Sequence, residues 1–594
     1  MISSVHPSVI LMIGALFIPL LWGRVKQVYV LTLPVVAFVS LLYTPEGHHW
    51  VVAFLDYDIT IFRVDRLSKV FGYIFLIFCF AAALYGIHVK DKGRNTGKLF
   101  QAGGALGVVF AGDLITLFFF WEVIALTSVY IIWLGGTEKS RAAGFRYIVF
   151  HLIGGLFLHA GIVLYIHNTG SIGFNHIGVG SPATYLMLIG IGINAAFPFF
   201  HAWLPDAYPE SSPAGTVFLS AFTTKTAIYV LARGFAGADI LIWIGVAMVV
   251  FPLFLAAIEN NLNRVLCYGL INQLGFMVIG VGIGTELAIN GVASHAFAHI
   301  LYKGLLFMSI GSVVHQTGKV NATDLGGLYK SMPFTTICCI IGAASMSFPL
   351  TVGFISKSMI VSAAGYGHLT VVSFALFFAA AGVFHIVGIK LPFFAFFSHD
   401  SGLRPKDPPA NMRFAMGILA FLCIFIGVYP ELLYSILPYP VHYVPYTAAH
   451  VIGMLQLLFF SALAFTLLML AGIYPAEIRA INLDIDWFYR KGVRVFYWFV
   501  DNIVLAFTSV YEQSVYYVIP RFAIRATRNP LATLKIAGDT VLLYFSSDVR
   551  KIEIQERLNR EKSIYPGDRI KNWPIGATVI WVTLFLLVFL WVYY

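Results

Sequence analysis

The chain has 594 residues, of which 59% are hydrophobic, 16% aromatic and only 11% charged, with a net charge of +10 and a mean hydropathy of +0.83. Soluble domains carry about 25% charged residues. A chain this poor in charge cannot coat a water-facing surface, and a single apolar soluble core is excluded because such cores stop growing near ~250–300 residues. The basic residues sit mainly in short loops between apolar runs, which is how a membrane protein orients itself and not how nucleic acid is bound. The five cysteines (Cys79, Cys267, Cys338, Cys339, Cys423) form no CxxC and lie in apolar stretches. Neither an iron–sulfur cluster nor a disulfide framework is indicated.

A spanning helix needs ~20 mostly apolar residues. In chain order the candidate spans are 8–22, 27–44, 67–88, 99–112, 114–134, 143–167, 184–201, 213–235, 239–257, 263–283, 288–315, 333–366, 369–397, 411–434, 449–474 and 574–594. Arg24 and Lys26 follow the first run and no A-x-A site appears, so this run reads as a helix and not as a signal peptide. Between the second and third runs, VVAFLDYDITIFRVDR (51–66) alternates apolar and polar residues and predicts a short extracytoplasmic hairpin. Lys90, Lys92, Arg94 and Lys98 follow the third run, and Lys139, Arg141 and Arg146 the fifth. Placing these basic loops in the cytoplasm puts the N-terminus outside.

A charge inside a span costs ~2.5–3.5 kcal/mol by insertion scales and usually serves function. Glu122, in DLITLFFFWEVIALTSVY, needs a cation nearby or else carries a proton; Asp113 precedes it at the start of the run. The 184–214 region ends in FPFFHAWLPDAYPESSP, a broken helix with His201 and Asp206 at the break, where they line an access funnel or cap helix ends. Lys225 lies mid-span in FLSAFTTKTAIYVLAR, beside Thr223 and Thr224. His295, His299 and Lys303 in GVASHAFAHILYKGLLF follow i, i+4, i+8 spacing. At ~1.5 Å rise per residue this is a polar stripe about 12 Å long on one helix face, with His315 further along. Histidine passes protons near neutral pH. A zinc site is not indicated, because HExxH is absent and no buried carboxylate or cysteine completes a ligand set.

The 333–366 stretch is too long for one span and holds Pro349 and Gly353, so it is a broken helix or two short ones, with Lys357 just beyond the break. Freed carbonyls at broken helices sit beside ion sites in transporters. Lys390, in FHIVGIKLPFFAFF, lies closer to a helix end and is placed to snorkel to the interface. GVGIG at 280–284 falls inside a span and reads as a packing feature. Residues 475–573 hold fifteen Lys/Arg and eleven Asp/Glu mixed with aromatics. They predict amphipathic helix along the cytoplasmic face or against a partner, before a last span at 574–594.

The strings DLITLFFFWE, FPFFHAWLPDAYPESSPAGTVFLSAFTTKTAIYVLAR, NRVLCYGLINQLGF, SHAFAHILYKGLLFMSIGSVVH and FPLTVGFISK, spread over about 60–430, resemble the proton-conducting antiporter family. That family includes the antiporter-like membrane subunits of respiratory complex I and of membrane-bound hydrogenases, and the large subunits of Mrp-type sodium/proton antiporters; the nearest resemblance is to the Mrp D-type subunits. It implies an all-α polytopic fold with a fourteen-helix core, two inverted five-helix repeats that each contain a broken helix, and extra C-terminal helices. The resulting layout is 1–98 N-terminal helices and hairpin, 99–235 first repeat, 236–400 second repeat, 401–474 closing helices, 475–573 amphipathic segment and 574–594 final span. The resemblance assigns Glu122, Lys225, His295, His299, Lys303 and Lys357 to the ion pathway, with Asp113, His201, Asp206, His315 and Lys390 as secondary candidates. Two positions depart from the family pattern. Asn194 replaces a lysine on the seventh helix, and Asn263 stands where the family has lysine before Arg264. Without that first lysine, Glu122 is expected to pair elsewhere, with Lys225, or to stay protonated.

These residues imply a proton- or cation-translocating component of a larger complex in the cell inner membrane, working with other membrane subunits on H+ and Na+. No redox ligand, P-loop or Rossmann fingerprint is found and no cofactor is expected, so the energy comes from an ion gradient or a partner. Two further readings stand beside antiport: a pump module of a redox-driven complex, and a non-conducting scaffold motivated by Asn194 and Asn263.

Overall fold

A computed structural model describes residues 5–89, 91–474, 477–480, 482–565 and 575–593; Lys90 and residues 566–574 of the expected final loop and span lie outside it. The chain forms two compact units, Met1–Asp486 and Trp487–Tyr594. Among the described residues, 13 helices are long and apolar enough to cross a membrane, and three shorter apolar helices accompany them.

The first unit begins with α1 (Pro7–Phe17) and α2 (Gly23–Tyr43). The expected hairpin follows as β1 (Gly47–Phe54) and β2 (Tyr57–Val64), paired antiparallel from Gly47 opposite Val64 to Phe54 opposite Tyr57. Then come α3 (Arg66–Tyr85), α4 (Lys92–Phe110), α5 (Leu114–Trp133) and α6 (Glu138–Thr169). The run at 99–112 therefore starts earlier than its apolar stretch, and Lys98 is buried within α4.

The interrupted 184–214 region resolves into α7 (Pro182–Asn194), α8 (Trp203–Ala207) and α9 (Pro213–Leu219), followed by α10 (Thr223–Gly234). Next are α11 (Asp239–Ile258), α12 (Leu262–Ile283) and α13 (Glu286–Thr317). The overlong 333–366 stretch is two helices, α14 (Pro333–Ala344) and α15 (Val352–Tyr366). The unit closes with α16 (Thr370–Phe397), α17 (Ala410–Val428), α18 (Glu431–Tyr434) and α19 (Ala448–Leu470).

An internal repeat is visible in the caps and breaks. Asp113 and Asn261 each cap the helix that follows, α5 and α12, with a side-chain oxygen. Both α6 and α13 have 32 residues, start with Glu after a Thr cap, and end on a left-handed glycine, Gly170 or Gly318. The chain beyond each glycine turns back to bridge the earlier cap, Gly173 to Asp113 and Asn321 to Asn261. The broken helices repeat the tripeptide Phe-Pro-X, with Phe199 at φ 70° and Leu350 at φ 68°. Proline removes a donor and ends each half-helix. The positive φ, costly for a side chain, turns the chain into the next one.

Burial separates centre from rim. In α12 and α13, 94% of the apolar window is buried within the protein, against 17% in α19. The glycines of GVGIG serve packing as expected: a Cβ at Gly282 would lie 2.6 Å from the backbone nitrogen of Ile242 on α11. Polar side chains on the central helices thus face other protein groups and not lipid.

In the second unit, Asp486–Arg528 (α20) is one helical run, followed by α21 (Pro530–Phe545), α22 (Asp548–Ile564) and α23 (Ile575–Tyr593). Within the segment expected as amphipathic helix along the cytoplasmic face or against a partner, α20 contains a window apolar enough to span a membrane. The arginines that mask it cluster at its C-terminal end, Arg521, Arg525 and Arg528.

Candidate ion pathway

The stripe on α13 forms as its spacing requires. His295, His299 and Lys303 are all buried on one central helix. The amide oxygen of Gln273 on α12 accepts from the Tyr302 hydroxyl at 2.9 Å and lies 3.2 Å from His295 Nε2. An amide oxygen only accepts, so the imidazole proton sits on Nε2, and Nδ1 accepts from Ser356 on α15 at 3.1 Å. The His299 ring lies 6.1 Å from His295 and 5.3 Å from Tyr302, and both its nitrogens are buried without a hydrogen-bond partner. Lys303 Nζ is likewise unpartnered; it points at Gly269, where a Cβ would stand 2.8 Å from it.

Lys357 Nζ donates to Ser347, in the break between α14 and α15, at 3.0 Å, and lies 4.9 Å from the Phe276 ring centroid. Lys225 Nζ donates to the carbonyl of Ser220, freed at the junction of α9 and α10, at 2.6 Å. A broken helix thus supplies the acceptor for both lysines. Among the described residues no carboxylate lies within salt-bridge distance of Lys225, Lys303 or Lys357. Unpaired buried ammonium groups are destabilising by several kcal/mol each if charged, and a fold retains them where protons or ions must be exchanged.

Glu122 is placed differently. It is half-buried on α5 and faces α6 at Gly155, whose missing side chain makes the room: a Cβ there would collide with Glu122 Oε1. Oε1 has no hydrogen-bond partner. The expected Glu122–Lys225 pair does not form, because Lys225 is satisfied at the α9–α10 junction while Glu122 turns toward α6.

The secondary candidates scatter to structural posts. Asp113 caps α5 through Thr116, accepting from its backbone N–H at 2.7 Å and its hydroxyl at 2.8 Å. Asp206 holds Arg146 by two charge-assisted bonds of 2.7 and 2.9 Å. His201 Nε2 lies 3.0 Å from Asp484, which also accepts from Tyr268 at 2.8 Å. Lys390 does not snorkel: it is fully buried, donates to the carbonyls of Ala256, Ala257 and Glu259 at the end of α11, and pairs with Glu477 at 2.8 Å. The unsatisfied carbonyls of a helix C-terminus attract a cation more strongly than the interface does. His315 is exposed, with its ring 5.1 Å from His88. Asn194 ends α7 with Oδ1 buried and unpartnered, while Asn263 donates its backbone N–H to the Asn261 cap.

The sequence reading missed Gln273 and Ser356, which orient His295, and Tyr302, which donates to Gln273. It also missed His151 on α6, although that residue stands as far into α6 as His299 stands into α13.

Residues 111–384, which hold Glu122, Lys225, the α13 stripe and Lys357, match the family described as NADH:quinone oxidoreductase/Mrp antiporter, TM. The match lies within the membrane core of the first unit. Curated proteins similar to the chain include a probable K(+)/H(+) antiporter subunit of Rhizobium meliloti, 28% identical over 62% of this chain and 40% of that protein. Others are NADH-quinone oxidoreductase subunit N of Desulforudis audaxviator, 32% identical over 44% of this chain and 57% of its own length, and a Na(+)/H(+) antiporter subunit of Alkalihalophilus pseudofirmus, 28% identical over 70% and 60%. The chain thus spans less than two thirds of each of these relatives.

Among solved structures, the Mrp complex of Dietzia sp. contains a chain with TM-score 0.63 and 20% identity, covering 72% of this chain and 95% of its own. The membrane-bound sulfane sulfur reductase, an archaeal respiratory membrane complex, gives TM-score 0.65 and 23% identity with the same coverages. These two show an antiporter-like, predominantly helical fold in this multi-pass membrane protein.

Proposed function

We propose that this chain is the proton- or cation-translocating part of a multi-subunit membrane complex, most like a monovalent cation/proton antiporter subunit. The observation that carries the reading is the row of buried, carboxylate-free groups Lys225, His299, Lys303 and Lys357, on helices buried nearly all round. In this reading an ion or proton moves along the interior by way of the lysines and the His295–His299 pair, with Glu122 as the acid end of the row. The names of the relatives support both an antiporter and a quinone-reductase setting. The two share one transport step and differ in what drives it. The basic loops support an N-terminus outside the cytoplasm and residence in the cell inner membrane.

The test is ion-dependent transport by the intact complex in vesicles, comparing wild type with Glu122→Ala, Lys225→Ala and Lys357→Ala. Loss of transport in each variant is expected. Equal flux in all four would leave a non-conducting scaffold.

A further inference from the structure

The buried interior of the first repeat holds a histidine on α6 that the pathway above does not use. His151 lies on α6 and is 1% exposed. Its Nδ1 is 2.9 Å from the carbonyl of Tyr147. A carbonyl can only accept, so the imidazole proton is on Nδ1 and Nε2 presents a lone pair. That nitrogen is buried and has no hydrogen-bond partner among the described residues, and a buried unpaired polar group calls for an explanation. The ring stacks on Tyr147 with centroids 3.8 Å apart and meets Trp203 edge-on at 4.6 Å. A neutral ring held on two sides, with one nitrogen bare, is set to receive a proton.

Two independent placements connect it to the row. On one side, Gly155 lies one turn beyond His151 on the same face of α6 and receives Glu122 Oε1 in its notch. His151 and the notch that receives the carboxylate thus lie on one strip of the helix, one turn or about 6 Å of rise apart. On the other side, the hydroxyls of Tyr147 and Tyr208 are buried and point toward Thr223, Tyr147 also toward Ser128, without closing a hydrogen bond. Ser128 in turn lies 3.4 Å from Thr223 and accepts from Gln101 at 2.8 Å. Thr223 opens the helix that carries Lys225. The repeat makes the same assignment from the backbone alone. With both 32-residue helices aligned from their Thr caps to their Gly caps, His151 falls on His299, Tyr147 on His295, and Gly155 on Lys303. Where the second repeat carries a lysine, the first leaves a gap that Glu122 fills from the neighbouring helix.

We infer that His151 is a proton-carrying residue of the first repeat, passing protons between Glu122 and the hydroxyl cluster of Tyr147, Tyr208 and Thr223 that leads to Lys225. In the step, Nε2 takes a proton from the Glu122 side to form imidazolium, and the same bond breaks as the proton leaves toward the hydroxyls. Nothing is oxidised or consumed. The inference rests on the transport reading above.

The experiment is proton flux by the intact complex in proteoliposomes, with Glu122→Ala and Lys225→Ala as reference variants. His151→Gln keeps a donor for the Tyr147 carbonyl but cannot hold a proton. It is expected to lower flux at least ~10-fold, the low end below what a positioned proton-transfer group supplies, with unchanged subunit co-purification and melting temperature. His159→Gln, an exposed residue on the same helix, is expected to keep wild-type flux. If His151→Gln does not assemble, Tyr147→Phe retains the ring stack and removes the hydroxyl, and is expected to lose flux as well. If Glu122→Ala and Lys225→Ala lose flux while an assembled His151→Gln retains it, or Tyr147→Phe does where that variant fails, the inference falls and the transport reading stands. If both reference variants transport like wild type, both fall.

Discussion

The two repeats of the first unit share a backbone and differ in charge. Each has a capped helix, a 32-residue helix closed by a left-handed glycine, and a helix broken at Phe-Pro. The second repeat carries its ionisable groups on the central helix itself: His295 is locked between Gln273 and Ser356, and His299 and Lys303 stand free beside it. In the first repeat the acid comes from the adjacent helix and is half-buried at a glycine notch, with His151 and Tyr147 where the second has two histidines. The caps and breaks that set helix geometry are retained between the halves, while the buried ionisable groups differ. A shared scaffold therefore does not imply identical transfer steps, and the second repeat is the better isolated from its surroundings.

That contrast makes the second repeat the more sensitive. Lys303→Ala should reduce ion flux by about 10²-fold, within the range of a positioned proton-transfer group, because no other ammonium lies beside Gly269; flux assays on the intact complex check it. In the first repeat, Gly155→Ala would drive a methyl into Glu122 Oε1. The overpacking costs at most about 1–3 kcal/mol, and since a carboxylate end can rotate away, flux should fall less than in Glu122→Ala. Asp206→Asn, outside the row, should lower the melting temperature in detergent by the equivalent of about 1 kcal/mol once the partial exposure of Arg146 is discounted, and leave flux unchanged.

The smallest effect is expected at Asp324, whose hydrogen bond to Arg479 holds its carboxyl below the usual range. Arg479 is 74% exposed, so Arg479→Ala should cost only ~0.2–1 kcal/mol. A carboxyl held low in the folded state stabilises above its unfolded pKa and loses that contribution as pH falls through the folded value. The wild-type advantage over Arg479→Ala should therefore be present at neutral pH and fade in acid, as thermal melts at two pH values would report.

Much of this was legible in the sequence because a charge in an apolar run stands out. Glu122, Lys225, the α13 stripe and Lys357 were visible for that reason, as were both helix breaks from their prolines. Partners were not legible. Asp206 and Arg146 are far apart in sequence, and Lys390 reads as an interfacial lysine until Glu477 and the end of α11 close over it. His151 was hidden by its context: a lone histidine in an apolar helix most often satisfies a core, and only alignment of the two 32-residue helices sets it beside His299. The apolar window within 486–528 was not legible because arginines gathered at one end outweighed it in composition.

His299 tests the central claim most directly, since it sits between His295 and Lys303 and has no other hydrogen-bonding role to lose. The measurement is proton flux through the assembled complex carrying His299→Leu. A protein whose interior row conducts should drop to the leak of empty vesicles while its assembly and melting temperature hold. Wild-type flux from that variant would contradict a path through α13.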